Sequence, residues 1–229
     1  MNKRKILWEN SKRLILLVVV LFFYNTVFSQ QNINLSAEIK NLKSKDLNKK
    51  LAAIDKIGKS RDKRYTAELV KELRVQKNPQ VKAKIVEALG NTKDDEFVSE
   101  LTFVVKDKKE DLTVRETAVI SLGNIGTSNS VDALTNIAKD ENEDINLRLV
   151  AIESLARFIN NKVFDTLVDL SNDRNPLVRK TSVGFLYHGF YSIHQKQVDG
   201  ILRKMLNDEN EEVRLSARMI LEEVEKRNK

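Results

Sequence analysis

The sequence predicts an all-α fold, a right-handed α-solenoid of about five helical hairpins followed by a terminal helix. A phrase of about ten residues recurs six times, at spacings of 31–35 residues. Each copy follows a short polar residue, and a second amphipathic segment follows each of the first five copies. Self-similarity at this period is typical of stacked helical repeats, in which neighbouring units bury one continuous core.

The columns of the phrase describe the first helix of each repeat. The anchor residues, to which the other columns are referred, are Lys49, Val81, Val114, Leu147, Val178 and Val213. Three residues earlier stands an Asp or Asn that can accept hydrogen bonds from the free amides of a helix start: Asp46, Asn78, Asp111, Asp144, Asn175 and Asn210. Eight residues after the anchor the chain is always aliphatic, as a buried stripe requires: Ile57, Leu89, Leu122, Leu155, Leu186 and Leu221. Gly58, Gly90 and Gly123 end three phrases, where we expect them to stop the helix.

The second helices are predicted from apolar residues three or four positions apart. Their expected cores are Tyr65–Leu73, Glu96–Val105, Ser130–Ala138, Lys162–Leu170 and Gln195–Leu206. The sixth phrase continues into a charged segment, which suits the open end of a solenoid. These elements divide the chain into a leader at residues 1–29, an N-terminal segment with a short cap helix at 30–45, and the solenoid at 46–229.

The phrase DLTVRETAVISLG at Asp111–Gly123 resembles the HEAT repeat family, in particular the short bacterial HEAT-like repeats of phycobilisome lyases. Looser copies read NPQVKAKIVEALG, DINLRLVAIESLA and NPLVRKTSVGFLY. The resemblance covers Asp46 to about Glu222. It implies a stack that binds or scaffolds other molecules, and it says little about activity.

The residue after each anchor is basic in all six copies: Lys50, Lys82, Arg115, Arg148, Arg179 and Arg214. At about 100° per residue this column falls inside the apolar arc of its helix, so each charge needs a partner. We expect acids at the caps or in the loops of neighbouring repeats to pair with it, forming a structural ladder, as the resemblance also implies. A basic stripe that binds phosphate is the alternative. Acids near most of these residues in the sequence favour the ladder.

The fifth repeat departs from the pattern. Tyr187 takes the glycine position, and the run from Phe185 to His194 holds four of the thirteen Phe and Tyr residues and both histidines. Because aromatic side chains supply large contact areas, one interpretation is a partner-binding patch of Phe185, Tyr187, His188, Phe190, Tyr191 and His194. The other, which we favour, is a longer inter-helix turn whose aromatics fill a gap in the stack. A metal site at the two histidines is disfavoured, since no third ligand is placed nearby.

The first 29 residues are typical of a secretory signal peptide. Five basic residues precede the apolar run Leu14–Phe23, and Val27-Phe28-Ser29 suits cleavage before Gln30. An uncleaved membrane anchor is the alternative, and in either case the repeats are exported, to the periplasm or the medium. Without the leader the net charge falls from +7 to +3, with 35 basic and 32 acidic residues. The second helices also mix charge signs, so a nucleic-acid partner is disfavoured.

No residue set predicts catalysis. The chain has no phosphate-binding loop, no His-Glu-x-x-His or Gly-x-Ser-x-Gly motif, and no cysteine. We therefore predict a non-enzymatic scaffold without cofactor or metal, which binds an unidentified protein or peptide through the concave face of its second helices. A bilin-lyase-like enzyme or chromophore chaperone and a membrane-anchored structural spacer are the alternatives. Export argues against the first, because bilins are made inside the cell.

Overall fold

A computed structural model describes residues 35–227; the predicted leader and its cleavage point lie outside that range. Within it, helix follows helix and no strand is present, which confirms the predicted all-α solenoid. None of the helices in the described range is long and apolar enough to cross a bilayer.

The helices alternate between two layers. A short helix, α1, occupies residues 35–42. The first helices of the six repeats are α2 (Leu47–Ser60), α4 (Pro79–Asn91), α6 (Leu112–Ile125), α8 (Ile145–Leu155), α10 (Pro176–Phe185) and α12 (Glu211–Arg227). The second helices are α3 (Lys63–Val75), α5 (Val98–Lys106, after a 3₁₀ turn at Asp95–Phe97), α7 (Ser128–Lys139), α9 (Asn161–Leu170) and α11 (Tyr191–Met205). The element order is as predicted, with bounds that differ by a few residues from the expected cores.

All six expected cap residues accept backbone hydrogen bonds at the start of a first helix. Asp46 accepts from the Lys49 amide at 3.2 Å, and Asp111 accepts from the Thr113 amide at 2.9 Å. Equivalent bonds are made by Asn78, Asp144, Asn175 and Asn210. Because such a cap contributes about 1 kcal/mol, these residues define where each first helix begins.

The core runs between the two layers along the whole stack. The aliphatic column eight residues after the anchor is fully buried in the first five repeats, and the anchor itself is buried in all but the first. The second helices contribute a matching column without exposed surface: Leu69, Leu101, Leu134, Leu167 and Leu202. Each hairpin therefore closes part of a core that it shares with its neighbours.

The expectation that Gly58, Gly90 and Gly123 stop their helices is wrong. Each lies inside its helix, opposite a small residue of the next first helix. The three facing residues are Ala88, Ser121 and Ser154. A Cβ added to Gly58 would lie 2.7 Å from the Ala88 Cβ, closer than real Cβ atoms approach. The glycines are therefore required for the close approach of successive helices.

α12, the first helix of the sixth repeat, interrupts a column of apolar residues that the other five first helices share. Five residues after the anchor, the side chain is buried and aliphatic in five repeats: Ile54, Val86, Val119, Ile152 and Val183. This column faces the next repeat, since Ser121 Oγ of α6 donates to the Val86 carbonyl at 3.1 Å. In α12 the column holds Arg218, which is exposed. The polar end expected from the sequence is thus confined to one face, and α12 still exposes Leu215 and Met219 elsewhere.

Candidate functional site

The basic column lies at the boundary between successive repeats. Its central members Arg115, Arg148 and Arg179 are buried, whereas the two lysines and Arg214 are half-buried. Each of the first five bases pairs with an acid that precedes the next first helix. In chain order the acids are Glu72, Glu110, Glu143, Asp173 and Asp208.

Arg115 shows the arrangement in full. Its Nε donates to the Val105 carbonyl at 2.7 Å and its Nη2 donates to Glu143 Oε1 at 2.8 Å. The same carboxylate accepts from Lys108 Nζ at 2.6 Å and from the Asp144 amide at 2.7 Å. Burial by itself raises the pKa of Glu143, but these hydrogen bonds outweigh burial and hold the pKa below its ordinary value.

The caps themselves are not the partners of the column. In four repeats the paired acid lies one or two residues before the cap, and Glu72 lies within α3. Arg179 donates to both carboxylate oxygens of Asp208, through Nε at 2.8 Å and Nη2 at 2.7 Å. Arg214 donates to two backbone carbonyls in the described range. Donors that a phosphate stripe would use are thus engaged by protein groups. The structural role of the column stays a prediction for substitution to test.

The aromatic segment of the fifth repeat is a bent helix. α10 continues through a π-helical turn at Leu186–Phe190 directly into α11, which bends at His194, where φ is −123° and ψ is 36°. The longer connection expected between the two helices thus takes the form of a π-helical turn followed by a kink at His194, just before the expected second helix begins. A π turn accommodates an extra residue without leaving the helix, and such turns are frequent at functional sites.

This bend turns part of the aromatic set inward. Phe190 and Tyr187 are buried, with 1% and 4% of their surface exposed. Phe190 packs against Phe164 of α9 with ring centroids 5.4 Å apart, and His194 stacks on the Phe164 ring at 3.9 Å. The half-buried members of the set are Phe185, Tyr191 and His194, while His188 is exposed. The six candidates are brought together, but they present to solvent mainly His188 and ring edges.

Hydrogen bonds hold Tyr191, one of the half-buried aromatic residues. The Tyr191 hydroxyl donates to Asp199 Oδ1 at 3.0 Å and accepts from Gln195 Nε2 at 3.3 Å. Burial raises the pKa of the Tyr187 hydroxyl, and the Arg227 guanidinium of α12 lies 5.7 Å from the centre of its ring. Among residues 35–227, no cluster of three or more His, Asp and Glu side chains has the geometry of a metal site.

Sequence reasoning missed a cleft between α5 and α7. Phe103 of α5 is 69% exposed, and the neighbouring Thr102 lines a cleft of about 270 Å³ between α5 and α7. The cleft is lined by the apolar Val105, Ala133 and Ile137 and by the polar Thr102, Lys106, Asn136, Asp140 and Glu143. The sequence did contain a signal for Phe103. Two residues after the buried leucine of each second helix, the other four repeats carry a polar side chain: Lys71, Asn136, Asp169 and Lys204. Phe103 replaces a polar residue there.

A second groove, of about 600 Å³, lies between α10 and α12. It is lined by Gly184 and by the apolar Leu215, Met219 and Ile220. The groove opens at Gly184, where an added Cβ would meet nothing within 4 Å. An ion pair between Lys180 and Glu212 at 2.8 Å crosses it.

The fold, the repeated hairpins and the paired basic column define the chain as a helical-repeat protein of the α-solenoid class. The HEAT repeats family matches residues 66–146 and 141–222, and the chain belongs to that family. The family expected from the sequence is thus confirmed. No curated protein matches the chain in sequence.

Solved structures that are similar to this chain are 18–20% identical to it. The YIBA protein of Escherichia coli has a TM-score of 0.51 and 20% identity, over 86% of this chain and 73% of that one. The CpcE–CpcF complex of phycocyanin lyase from Nostoc sp. PCC7120 has a TM-score of 0.49 and 18% identity, over 80% and 74%. A designed armadillo repeat protein in complex with the peptide (KR)4 has a TM-score of 0.47 and 18% identity, over 82% and 98%. At these identities the likeness shows the fold alone.

Proposed function

We propose that this protein is a non-enzymatic scaffold, exported from the cytoplasm, that binds a peptide segment of a partner protein across the face of its second helices. The observation that carries the proposal is Phe103, which is 69% exposed on α5, the helix that forms one wall of the α5–α7 cleft. HEAT-type stacks present their second helices as an extended concave face, which suits an elongated partner.

Residues on both sides of α5 add to the exposed surface around Phe103. On the α3 side, Arg74 Nη2 and Glu100 Oε2 pair at 2.7 Å and join the end of α3 to α5. Val75, next to Arg74, is 71% exposed, which adds a second large apolar side chain near this seam. On the other side the α5–α7 cleft opens. Aromatic and aliphatic side chains held on rigid helices are the usual anchors of protein interfaces.

The chemistry of the cleft fits a peptide side chain. Its volume of about 270 Å³ lies just below the range of pockets that hold small molecules or cofactors. Its apolar wall would receive an aliphatic or aromatic side chain. The Asn136 side chain makes no hydrogen bond within residues 35–227, so its amide is available to pair with the donor and acceptor of a peptide backbone.

The proposal that the protein is exported rests on the predicted leader at residues 1–29. We propose that the leader is removed before Gln30 and that the repeats act outside the cytoplasm. The intact mass of the exported protein tests this proposal, because a retained anchor would add the mass of residues 1–29.

The binding proposal is tested by placing a photo-cross-linking residue at position 103 in the native cell. The matched control position is Ile120, which is an exposed apolar residue like Phe103 but lies on a first helix, α6. We expect one partner to be captured from position 103 and not from 120, and the yield to fall when Asn136→Ala is added. Capture that is equal at both positions, or unaffected by Asn136→Ala, would overturn the proposal.

The bilin-lyase-like alternative has a separate test. Purified protein is incubated with a bilin and an acceptor protein, and attachment is followed by absorbance. Turnover would establish an enzyme in place of the scaffold.

A further inference from the structure

We propose that the N-terminal end of the stack docks on an anionic phospholipid membrane. Charge is distributed unevenly along the chain. Residues 35–77, which form α1 and the first hairpin, carry 13 basic and 6 acidic side chains, a net charge of +7. Residues 78–227 carry 21 basic and 26 acidic side chains, a net charge of −5. The described part of the molecule is therefore a charge dipole along its length.

Four exposed lysines, here called the lysine cluster, form part of the positive end. They are Lys40 of α1, Lys43 and Lys45 in the following turn and Lys49 in the first turn of α2. None of them pairs with a carboxylate among residues 35–227. The acid between them, Asp46, caps α2 and accepts from the Lys49 amide at 3.2 Å. Their charges are therefore available to an external partner.

The lysine cluster lies at the outer end of the stack. Lys56 Nζ of α2 pairs with the buried Glu38 of α1 at 2.7 Å. Lys56 stands seven residues after its anchor, in the column where Ala88 and Ser121 face the preceding repeat. α1 thus covers the end of the array in place of a preceding hairpin. Lys40 on α1 and Lys43 in the turn after it are both exposed.

Lys49 is the exception in its own column. The anchor is aliphatic and buried in each of the five later repeats, whereas in the first it is an exposed lysine. An apolar anchor at this exposed position would contact water, but a neutral polar residue would serve equally well there. Three further exposed lysines lie within nine residues of it in the sequence, so the choice of charge points to a partner of opposite sign.

A membrane surface fits this arrangement. The amines are spread over a helix, a turn and a second helix, so a broad array of phosphate headgroups can meet all four together. Leu47, 37% exposed, lies among them and can enter the interfacial layer. The predicted apolar run ends at Phe23, only 17 residues before Lys40, which brings the cluster to the bilayer during export. Each lysine near an anionic surface strengthens binding by about fivefold.

The test uses the exported protein as the cell leaves it. Affinity is measured by co-sedimentation with vesicles of equal parts phosphatidylglycerol and phosphatidylcholine, and with vesicles of phosphatidylcholine alone. The readout is the ratio of the two affinities, because a retained leader adds the same apolar binding to both vesicle types. The test variant carries Lys40→Gln, Lys43→Gln, Lys45→Gln and Lys49→Gln. The control variant carries Lys93→Gln, Lys106→Gln, Lys109→Gln and Lys196→Gln, at lysines that are also exposed and unpaired within residues 35–227.

We expect the wild-type protein to prefer anionic vesicles, and the preference to fall by at least about fiftyfold in the test variant. The control variant should keep most of the preference, and added salt should abolish it in the wild type. Equal losses in the two variants, or no loss in the test variant, would overturn the proposal. Binding of the wild type to duplex DNA as tight as to anionic vesicles would also overturn it, by showing a general affinity for polyanions. Circular dichroism of both variants checks that the stack is intact.

Discussion

Gly90 and Ser121 meet across the interface of α4 and α6 with no room for another atom between them. A Cβ added to Gly90 would lie 2.5 Å from the Ser121 Cβ and 2.7 Å from its Oγ. The serine completes the contact by donating to the Val86 carbonyl at 3.1 Å. The distance between successive first helices from α2 to α8 is therefore set by three glycines and the small residues that face them.

The first prediction concerns this contact. Gly90→Ala should lower the free energy of unfolding by about 1–3 kcal/mol, because overpacking outweighs the better helix propensity of alanine. The matched control is Gly200→Ala in α11, where an added Cβ meets nothing within 4 Å. It should raise the free energy by about 0.5–1 kcal/mol. Urea unfolding of both variants measures the difference, and stabilisation by Gly90→Ala would contradict the close-contact role.

Arg148 provides the test of the ladder. It is buried and pairs with the buried Asp173, so Arg148→Ala leaves an uncompensated carboxylate and should cost about 3–5 kcal/mol. Lys139→Ala, which breaks the exposed pair with Asp169, should cost less than about 1 kcal/mol. If Arg148→Ala unfolds at the same urea concentration as the wild type, the column is not structural and a ligand-binding role gains support.

The third prediction concerns acid pH. For both Glu143 and Asp208, burial raises the pKa but hydrogen bonds from arginine, backbone amides and, at Glu143, Lys108 hold it below its ordinary value. These carboxylates bind protons less tightly in the folded than in the unfolded chain. The stability they provide is therefore present above the unfolded pKa, about 4, and is lost as the pH falls through the lower folded values.

The thermal midpoint should accordingly fall steeply below about pH 4. In Glu143→Gln the midpoint should be lower at neutral pH and should depend less on pH in the acid range. The control is Glu153→Gln, an exposed residue without an ion pair in the described range, which should keep the wild-type slope. Identical slopes for all three proteins would show that the Glu143 network does not govern acid stability.

The fourth prediction separates packing from recognition in the fifth repeat. Phe190→Ala should cost about 3–5 kcal/mol, since the ring is fully enclosed against Phe164. His188→Ala, at an exposed position, should change stability by less than about 0.5 kcal/mol. Unfolding curves and partner cross-linking are measured on both variants. A stable Phe190→Ala protein that loses its partner would favour the contact patch over the packing interpretation.

The sequence predicted the repeats because caps and leucines recur in fixed columns, as Asp111 and Leu122 do. The role of Gly90 was misjudged because the residue it contacts, Ser121, lies in the next repeat. Predicting that contact requires comparing the glycines of one repeat with the small residues of the following one. The extra residues of the fifth repeat were visible in the spacing. Whether they form a loop or a π turn depends on tertiary packing, here that of Phe190 on Phe164. Phe103 was missed because only the buried columns of the second helices were compared between repeats, and not the polar column in which Phe103 stands.

Arg218 also bears on whether copies of the protein can polymerise. Identical solenoids that join head to tail form filaments, because such a contact does not close on itself. On α12 the face that elsewhere receives the next hairpin carries Arg218 and Glu222, both exposed. The opposite end of the stack carries Lys40 and Lys43. A filament would have to strip water from these charges, which costs several kcal/mol unless each finds a partner. A single arginine in an otherwise aliphatic column thus adds a desolvation cost to head-to-tail contact at this face.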